Sequence, residues 1–270
     1  MAPSNGYGAS SNSTAGNRTG AHGPADNEQP VSKSGWRKEM MVNVDRDLAD
    51  IVLLMCYIIT GLLDSASIST WGSFASMQTG NTIYIGLGLA APNESKRWIK
   101  SGVSLISFCI GSSWFSRFHR YFTPSLHWML CVSFLAQMGL IVVAAAILTW
   151  GPKSTNEKDE IGWSVLVPIA LVAFQSSGQA VTSRVLKYNA LTSVTLTSIY
   201  CDLFSDADLF AMHNAERNRR LDAPVLLLFG IIMGGLLTHS PIGIVCVLWI
   251  AAGLKLFVVL SWVFWRAAED

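Results

Sequence analysis

Residues 241–265 read PIGIVCVLWIAAGLKLFVVLSWVFW, a run of 25 residues with a single charged side chain, Lys255. A helix needs about 20 mostly apolar residues to cross the hydrocarbon core of a bilayer, so this run is long enough to span it. The stretch therefore predicts a transmembrane helix.

Seven further apolar segments precede this run. They cover residues 48–67, 74–91, 98–115, 126–150, 161–182, 190–204 and 223–238. The sequence thus predicts an all-α membrane protein, a polytopic helical bundle of 6–8 spans with eight as the best estimate. The second, sixth and seventh segments are short. An alternative with six spans and two re-entrant pieces therefore stays open.

The composition excludes several classes of protein. Hydrophobic residues make up 51% of the 270 residues and charged residues 14%, with a net charge of +1, whereas soluble domains carry roughly 25% charged residues. The first 47 residues hold 10 of the 37 charges, which leaves 27 for the other 223 residues. A soluble enzyme, a nucleic-acid binder and a wholly disordered chain are excluded, and the lipid bilayer is the expected partner.

The N-terminal tail differs from the rest of the chain. Residues 1–47 are rich in Ser, Gly, Asn and Pro and contain no apolar run. Such a segment cannot bury enough surface to offset its ordering entropy, so we predict a disordered tail rather than a signal peptide. The transmembrane domain is predicted over residues 48–266.

Lysine and arginine counts predict the topology. With eight spans and a cytoplasmic N-terminus, fourteen of these residues fall on the cytoplasmic side and four on the other (Arg117, Arg120, Arg184 and Lys187). This bias follows the positive-inside rule and predicts that both termini are cytoplasmic. The sequons at Asn12 and Asn17 should then carry no glycan. The plasma membrane and endomembranes are not distinguished.

The two halves of the domain resemble one another in layout. Met77–Tyr84 in residues 48–150 has a counterpart in Thr195–Tyr200 of residues 161–265. Two four-span repeats are therefore a further expectation. An even number of spans per half would give both halves the same orientation, about an axis along the membrane normal.

The same stretches carry a family resemblance. Gly61–Ala66, Gly72–Phe74 and Met77–Asn81 resemble the signature of the YoaK-like family of polytopic membrane proteins, and Phe174–Gln179 with Leu196–Leu203 resembles its fungal members. The resemblance covers about residues 45–265. It implies a multi-pass membrane fold, and the family has no agreed activity.

Polar groups at membrane depth are the candidate site residues, because a charge there costs roughly 2.5–3.5 kcal/mol. Asp64 comes after about 16 residues of the first span, where it could bind substrate or a proton, or cap the next short helix. Arg184 ends the fifth span, where it could pair with Asp64, hold an anion or extend to the interface. The eight-span topology places both at one depth, so we expect Asp64, Thr79, Asn81, Gln175 and Arg184 to line one polar site.

Three further residues complete the candidate set. Gln179 shares a helix face with Gln175. Lys255 lies in the middle of the last span, too far from either end to reach the interface, so we expect a partner for it, with Asp64 and Asp202 as candidates. Asp202 lies near the inner end of the sixth segment. These eight residues are the predicted substrate or ion pathway.

No catalytic or metal-binding pattern accompanies them. The chain has neither Gly-x-Ser-x-Gly nor His-Glu-x-x-His, and its five cysteines lie in apolar stretches without a Cys-x-x-Cys pair. We expect no catalytic residue, metal or cofactor, and no enzyme activity. The favoured function is a small-molecule transporter or permease, and the alternative is a non-transporting membrane scaffold or accessory protein.

Overall fold

A computed structural model describes residues 46–121, 127–152, 161–185, 196–206, 215–241 and 243–264. Over these residues it contains eight helices and no strand, which confirms the predicted fold class. The helices are α1 Arg46–Trp71, α2 Gln78–Ala90, α3 Arg97–Tyr121, α4 His127–Trp150, α5 Trp163–Val185, α6 Leu196–Phe204, α7 Ala215–Thr238 and α8 Ile244–Val263. The predicted tail lies outside the described residues except for its last two, which begin α1.

Helix lengths favour the alternative with fewer spans. Five helices (α1, α4, α5, α7 and α8) are long and apolar enough to cross a membrane. The 13 residues of α2 and the 9 of α6 give lengths of about 20 and 14 Å, short of a hydrocarbon core of about 30 Å. The 25-residue α3 is long enough but more polar. Thus α2 and α6 are too short to cross as straight helices, whereas the short seventh segment lies in a helix of full length, α7.

The helices of the two halves pack in corresponding ways. Let α1, α2, α3 and α4 of the first half correspond to α5, α6, α7 and α8 of the second half, in that order. The contact between α1 and α7 then corresponds to the contact between α5 and α3. In the same way, α4 with α5 becomes α8 with α1, and α2 with α3 becomes α6 with α7. The pairs α4–α8 and α1–α5 map onto themselves. Apart from the contact of α7 with α8, all the principal contacts follow this approximate two-fold relation.

Contacts along α4 and α8 show that these two helices are antiparallel. Trp249 Nε1 donates a hydrogen bond to Thr149 Oγ1 at 3.2 Å, while Phe134 stacks on Trp262 with ring centres 6.3 Å apart. Residue numbers therefore fall along α8 as they rise along α4. A two-fold axis that relates antiparallel helices lies across them, in the plane of a membrane. The expectation that the halves share one orientation is wrong, because each half has an odd number of long helices.

Helices α1 and α7 are parallel and very closely packed. Gly230 faces the backbone of Ile58, and one turn later Gly234 faces the backbone of Leu62. A β-carbon at either glycine would collide with these backbone atoms. Small residues let the two helices approach in the manner typical of membrane bundles.

Helices α3 and α5 form the corresponding parallel pair. Gly111 faces Phe174, and Gly178 faces Phe115. Each pair thus joins one helix from each half through glycines.

The remaining directions follow from these contacts. Ser133 Oγ of α4 lies 3.5 Å from Thr182 Oγ1 of α5. About one turn away, Gln137 of α4 and Gln179 of α5 both accept hydrogen bonds from Lys255. Helices α4 and α5 are therefore antiparallel. With the short connection between α7 and α8, this gives one direction to α1, α4 and α7 and the opposite direction to α3, α5 and α8. An apolar core fills the space between α1, α4, α5 and α8.

Candidate functional site

The Lys255 side chain, in the middle of α8, is fully buried. Its Nζ donates hydrogen bonds to Oε1 of Gln137 at 2.7 Å and to Oε1 of Gln179 at 2.8 Å. The same atom lies 4.9 Å from the centre of the Phe134 ring. Amide oxygens and the face of an aromatic ring both attract a cation. The lysine is thus bound by neutral groups.

Further hydrogen bonds fix the orientation of both amides. Gln179 Nε2 donates to the backbone oxygen of Cys56 at 2.9 Å and to Thr60 Oγ1 at 2.8 Å. Gln137 Nε2 donates to Ser133 Oγ at 3.4 Å. Because each Nε2 is engaged elsewhere, each Oε1 faces the lysine. We call Lys255, Gln137, Gln179 and Thr60 the central polar network.

The central polar network lies where the two halves meet. The bond from Lys255 to Gln137 joins α8 to α4, and the bond from Gln179 to Thr60 joins α5 to α1. These are the two helix pairs that map onto themselves under the two-fold relation. The network therefore joins the halves at their centre.

The prediction that Lys255 pairs with Asp64 or Asp202 is wrong. Asp64 makes its hydrogen bonds with residues that follow α1, and Asp202 is exposed on α6. Two glutamines take the place that a carboxylate was expected to fill. Asp64 lies one turn beyond Thr60 on α1, and its two oxygens are occupied by Ala75 and Ser76.

Asp64 holds the non-helical segment between α1 and α2, residues 72–77, which we call the break. Its Oδ1 accepts hydrogen bonds from the backbone N–H groups of Ala75 and Ser76, each at 2.8 Å. The Ser76 hydroxyl donates to its Oδ2. Gly72 starts the break with a φ of 77°, a conformation that favours glycine. These bonds go to residues that precede α2, and the N-cap residue of that helix, Met77, makes no side-chain capping hydrogen bond. Asp64 therefore binds the break and does not cap the next short helix.

Asn81 holds the same break from its other side. Its Oδ1 accepts from the backbone N–H of Phe74 at 2.9 Å, and its Nδ2 donates to the Phe74 carbonyl at 2.9 Å. Ser104 on α3 donates to that carbonyl at 2.7 Å. The Thr-Gly-Asn motif thus satisfies backbone groups at a non-helical segment, as a membrane interior requires.

A cavity of about 230 Å³ lies between the start of α2, the start of α6 and helices α1 and α7. Asp64 and Thr79 line it, so two predicted site residues share this space. Thr60 also lines it and connects it with the central polar network. Its other lining residues are Gly61, Phe74, Ser76, Met77, Leu196, Thr197, Leu227 and Ile231. We call this space the central cavity.

Arg184 does not reach the central cavity. It is exposed at the end of α5 and lines a separate cavity of about 510 Å³ with His119 and Arg120 of α3. Thr60 and Gln179 are level with each other, and α1 and α5 run in opposite directions. Asp64 therefore lies about 6 Å to one side of that level and Arg184 about 7.5 Å to the other. The prediction that Asp64 and Arg184 line one site is wrong, because it assumed that the first and fifth spans run in the same direction.

Gln175 is also separate from the central cavity. It is buried on α5, one turn before Gln179, and its Nε2 donates to Ser176 Oγ at 3.0 Å. Of the eight predicted residues, the structure brings Asp64 and Thr79 into one cavity, with Asn81 beside it. It brings Gln179 and Lys255 into the adjoining network. Gln175, Arg184 and Asp202 belong to neither.

Sequence reasoning missed Gln137 and Thr60. Gln137 is the single amide in the long apolar segment 126–150, and it could have been found by the argument that singled out Lys255. Thr60 carries no such signal, because a threonine can satisfy its own hydroxyl on its helix. It does so here, with Thr60 Oγ1 donating to the Cys56 carbonyl at 2.9 Å.

Across the described helices, no three His, Cys, Asp or Glu side chains converge as metal ligands would. The site offers hydrogen-bonding groups and one carboxylate where α1 and α7 meet the starts of α2 and α6. Such an arrangement can bind a small polar solute.

Comparison with known proteins gives a family but no activity. No curated protein and no solved structure matches the chain. The family model described as a protein of unknown function (DUF1275) matches residues 52–261, which include the central polar network and the central cavity. The chain therefore belongs to the DUF1275 family.

Proposed function

We propose that this protein is a membrane transporter for a small solute and that the solute binds in the central cavity. The observation that carries the proposal is that both short helices, α2 and α6, begin at this one cavity. Interrupted helices from two oppositely oriented halves that meet at a central site are typical of secondary transporters. Within this proposal, the chain is a YoaK-like, fungal-type member of its family and not an enzyme.

The helix directions support an inverted repeat of residues 48–150 and 161–265. Three long helices per half reverse the second half relative to the first. In such a repeat the two halves can exchange conformations, which gives two states that open a central site to either side in turn. The central polar network would then be the junction about which the halves move.

Charge supports a cytoplasmic location for both termini in this arrangement as well. With six crossings, thirteen Lys and Arg residues fall on the side of the termini and five on the other side (Lys96, Arg97, Lys100, Lys153 and Lys158). The bias is close to that of the eight-span topology, so the positive-inside rule is satisfied by both. The charge count alone could not distinguish between them.

Accessibility of the central cavity tests the proposal. A cysteine would replace Thr79 in a chain whose five native cysteines are changed to serine or alanine. Sealed vesicles of each orientation would then be treated with a charged, membrane-impermeant thiol reagent. We expect labelling from both sides. Leu228 of α7 is 56% exposed and does not line the cavity. It provides the control, because a cysteine there would face lipid and stay unlabelled.

The alternative function gives a different result. A scaffold or accessory protein needs no solute path, so Thr79→Cys would be labelled from one side or from neither. Metabolite profiling of a deletion strain, inside and outside the cell, provides an independent test. An unchanged distribution of metabolites would contradict transport.

A further inference from the structure

Asp64 places a carboxyl group where its structural contacts do not require a charge. Its Oδ1 accepts two backbone hydrogen bonds and its Oδ2 accepts one from the Ser76 hydroxyl. An asparagine could accept the same two backbone bonds and donate its Nδ2 to the Ser76 oxygen instead. Holding the break between α1 and α2 therefore explains an Asx side chain at position 64 but not an acid.

A neutral amide side chain already binds backbone groups in the same break. Asn81 accepts from the Phe74 N–H and donates to the Phe74 carbonyl, and it is fully buried. A charge at membrane depth is disfavoured, so two neutral amides would suffice for the fold. The acid at position 64 points to a second role.

Lys255 does not explain the acid either. Its ammonium group is bound by the two glutamine oxygens and the Phe134 ring. Asp64 lines the central cavity, on the far side of Thr60 from the lysine. Among the described residues that line this cavity, Asp64 is the single ionisable one.

The rest of the cavity wall selects the class of ligand. Four hydroxyl-bearing residues, Thr60, Ser76, Thr79 and Thr197, line it together with apolar residues, among them Leu227 and Ile231. A bare metal ion favours a complete shell of oxygens, whereas a protonated amine joins a cationic, hydrogen-bond-donating end to an apolar body. One water molecule occupies about 30 Å³, so a cavity of about 230 Å³ holds about seven non-hydrogen atoms.

We propose that the central cavity binds a small protonated primary amine of at most about seven non-hydrogen atoms, with its ammonium group on Asp64. This proposal rests on the proposed function, whose solute it names by class. The apolar end of the amine would lie against Leu227 and Ile231 of α7.

Thermal unfolding of the purified full-length protein tests the proposal. The probes are butylamine, its neutral analogue butanol, its anionic analogue butyrate, the longer decylamine, and sodium chloride alone. We expect a saturable rise in the unfolding temperature with butylamine and none with the other four. Stabilisation by sodium chloride alone, or equal stabilisation by butanol, would overturn the proposal.

Three variants locate the effect. Asp64→Asn should keep the unfolding temperature of the unliganded protein close to that of the parent and weaken butylamine binding at least tenfold. Asp202→Asn, which removes an exposed carboxylate, should bind butylamine like the parent. Ile231→Phe, which fills the cavity without touching the bonds of Asp64, should lose butylamine binding and retain that of methylamine. Undiminished butylamine binding by Asp64→Asn would contradict the role of the acid.

Failure of this inference is distinguishable from failure of the proposed function. If Thr79→Cys is labelled from both sides while no amine stabilises the protein, the cavity is a solute path and the ligand class is wrong. If only a change of pH shifts the stability of the parent relative to Asp64→Asn, the acid binds a proton and the amine proposal is overturned.

Discussion

Lys255 and Gln137 face each other across α8 and α4, with Nζ 2.7 Å from Oε1, at the level where the two halves of the bundle meet. Gln137 belongs to the first half and Lys255 to the second, each near the middle of its helix. The bond therefore joins two helices that the approximate two-fold relation makes equivalent, yet one holds the donor and the other the acceptor. This asymmetry makes each position sensitive to substitution in a different way.

Gln137→Leu should destabilise the protein more than Lys255→Met. Removing the glutamine takes one acceptor from a buried ammonium, at a cost of about 3 kcal/mol. Removing the lysine leaves two neutral oxygens without a donor, which we expect to cost about 1–2 kcal/mol. Equilibrium unfolding in mixed micelles measures both.

The double variant and a surface variant complete this test. Gln137→Leu with Lys255→Met should be no less stable than Gln137→Leu alone, because no unpaired charge remains. Val143→Ala on the exposed face of α4, where the side chain is 49% exposed, should change stability by less than about 0.5 kcal/mol. A larger loss for Lys255→Met than for Gln137→Leu would show that the lysine is not held as described.

Two adjacent glycines of α7 should respond oppositely to alanine. A β-carbon at Gly234 would collide with the Leu62 backbone and the Ser65 hydroxyl, whereas one at Gly235 would meet open space. Gly234→Ala should separate α1 from α7 and lower stability by about 2 kcal/mol or more. Gly235→Ala should be neutral or stabilising by up to about 1 kcal/mol, since alanine favours a helix. Thermal unfolding of the pair measures this, and equal effects would contradict the packing of α1 against α7.

Much of the fold could be predicted from composition and hydropathy. The eight helices correspond to the eight apolar segments, because a helix is the structure that satisfies its own backbone groups in lipid. The direction of the helices could not be predicted in the same way. Lysine and arginine counts constrain the side on which each loop lies, and the two arrangements give similar counts.

The error in topology led to the error in the site. Asp64 and Arg184 share a depth if the first and fifth long helices run in the same direction, and they lie on opposite sides of the centre if the helices are antiparallel. Residues chosen for their own burial were less affected. Lys255 and Gln179 were singled out because polar groups are costly in the middle of a span, and both lie in the central polar network.

Asn81→Leu should loosen the break before α2 without exposing new charge. The substitution removes the acceptor for the Phe74 N–H and one donor to the Phe74 carbonyl, leaving a buried donor unsatisfied at about 1–3 kcal/mol. Thermal unfolding measures the loss. Thr82→Val, on the exposed face of α2 where the hydroxyl donates to the Gln78 carbonyl, is the matched control and should change stability little. An effect of Asn81→Leu no greater than that of Thr82→Val would show that the break holds without Asn81.

Pairs of cysteines should establish the opposite orientation of the two halves. In a chain free of native cysteines, Thr149→Cys with Trp249→Cys and Phe134→Cys with Trp262→Cys should each crosslink with a short reagent, because both pairs are in contact in the structure. The exchanged pairs, Phe134→Cys with Trp249→Cys and Thr149→Cys with Trp262→Cys, place their residues at opposite ends of α4 and α8. Fifteen or so residues of helix separate those ends by about 20 Å, beyond the reach of a short reagent.

Parallel halves would reverse the result, crosslinking the exchanged pairs and not the contacting ones. An electrophoretic shift of a tandem-tagged chain after protease cleavage between the halves reads out all four combinations. Because the inverted arrangement underlies both the central cavity and the separation of Asp64 from Arg184, crosslinking of the exchanged pairs would remove the basis of the proposed function as well.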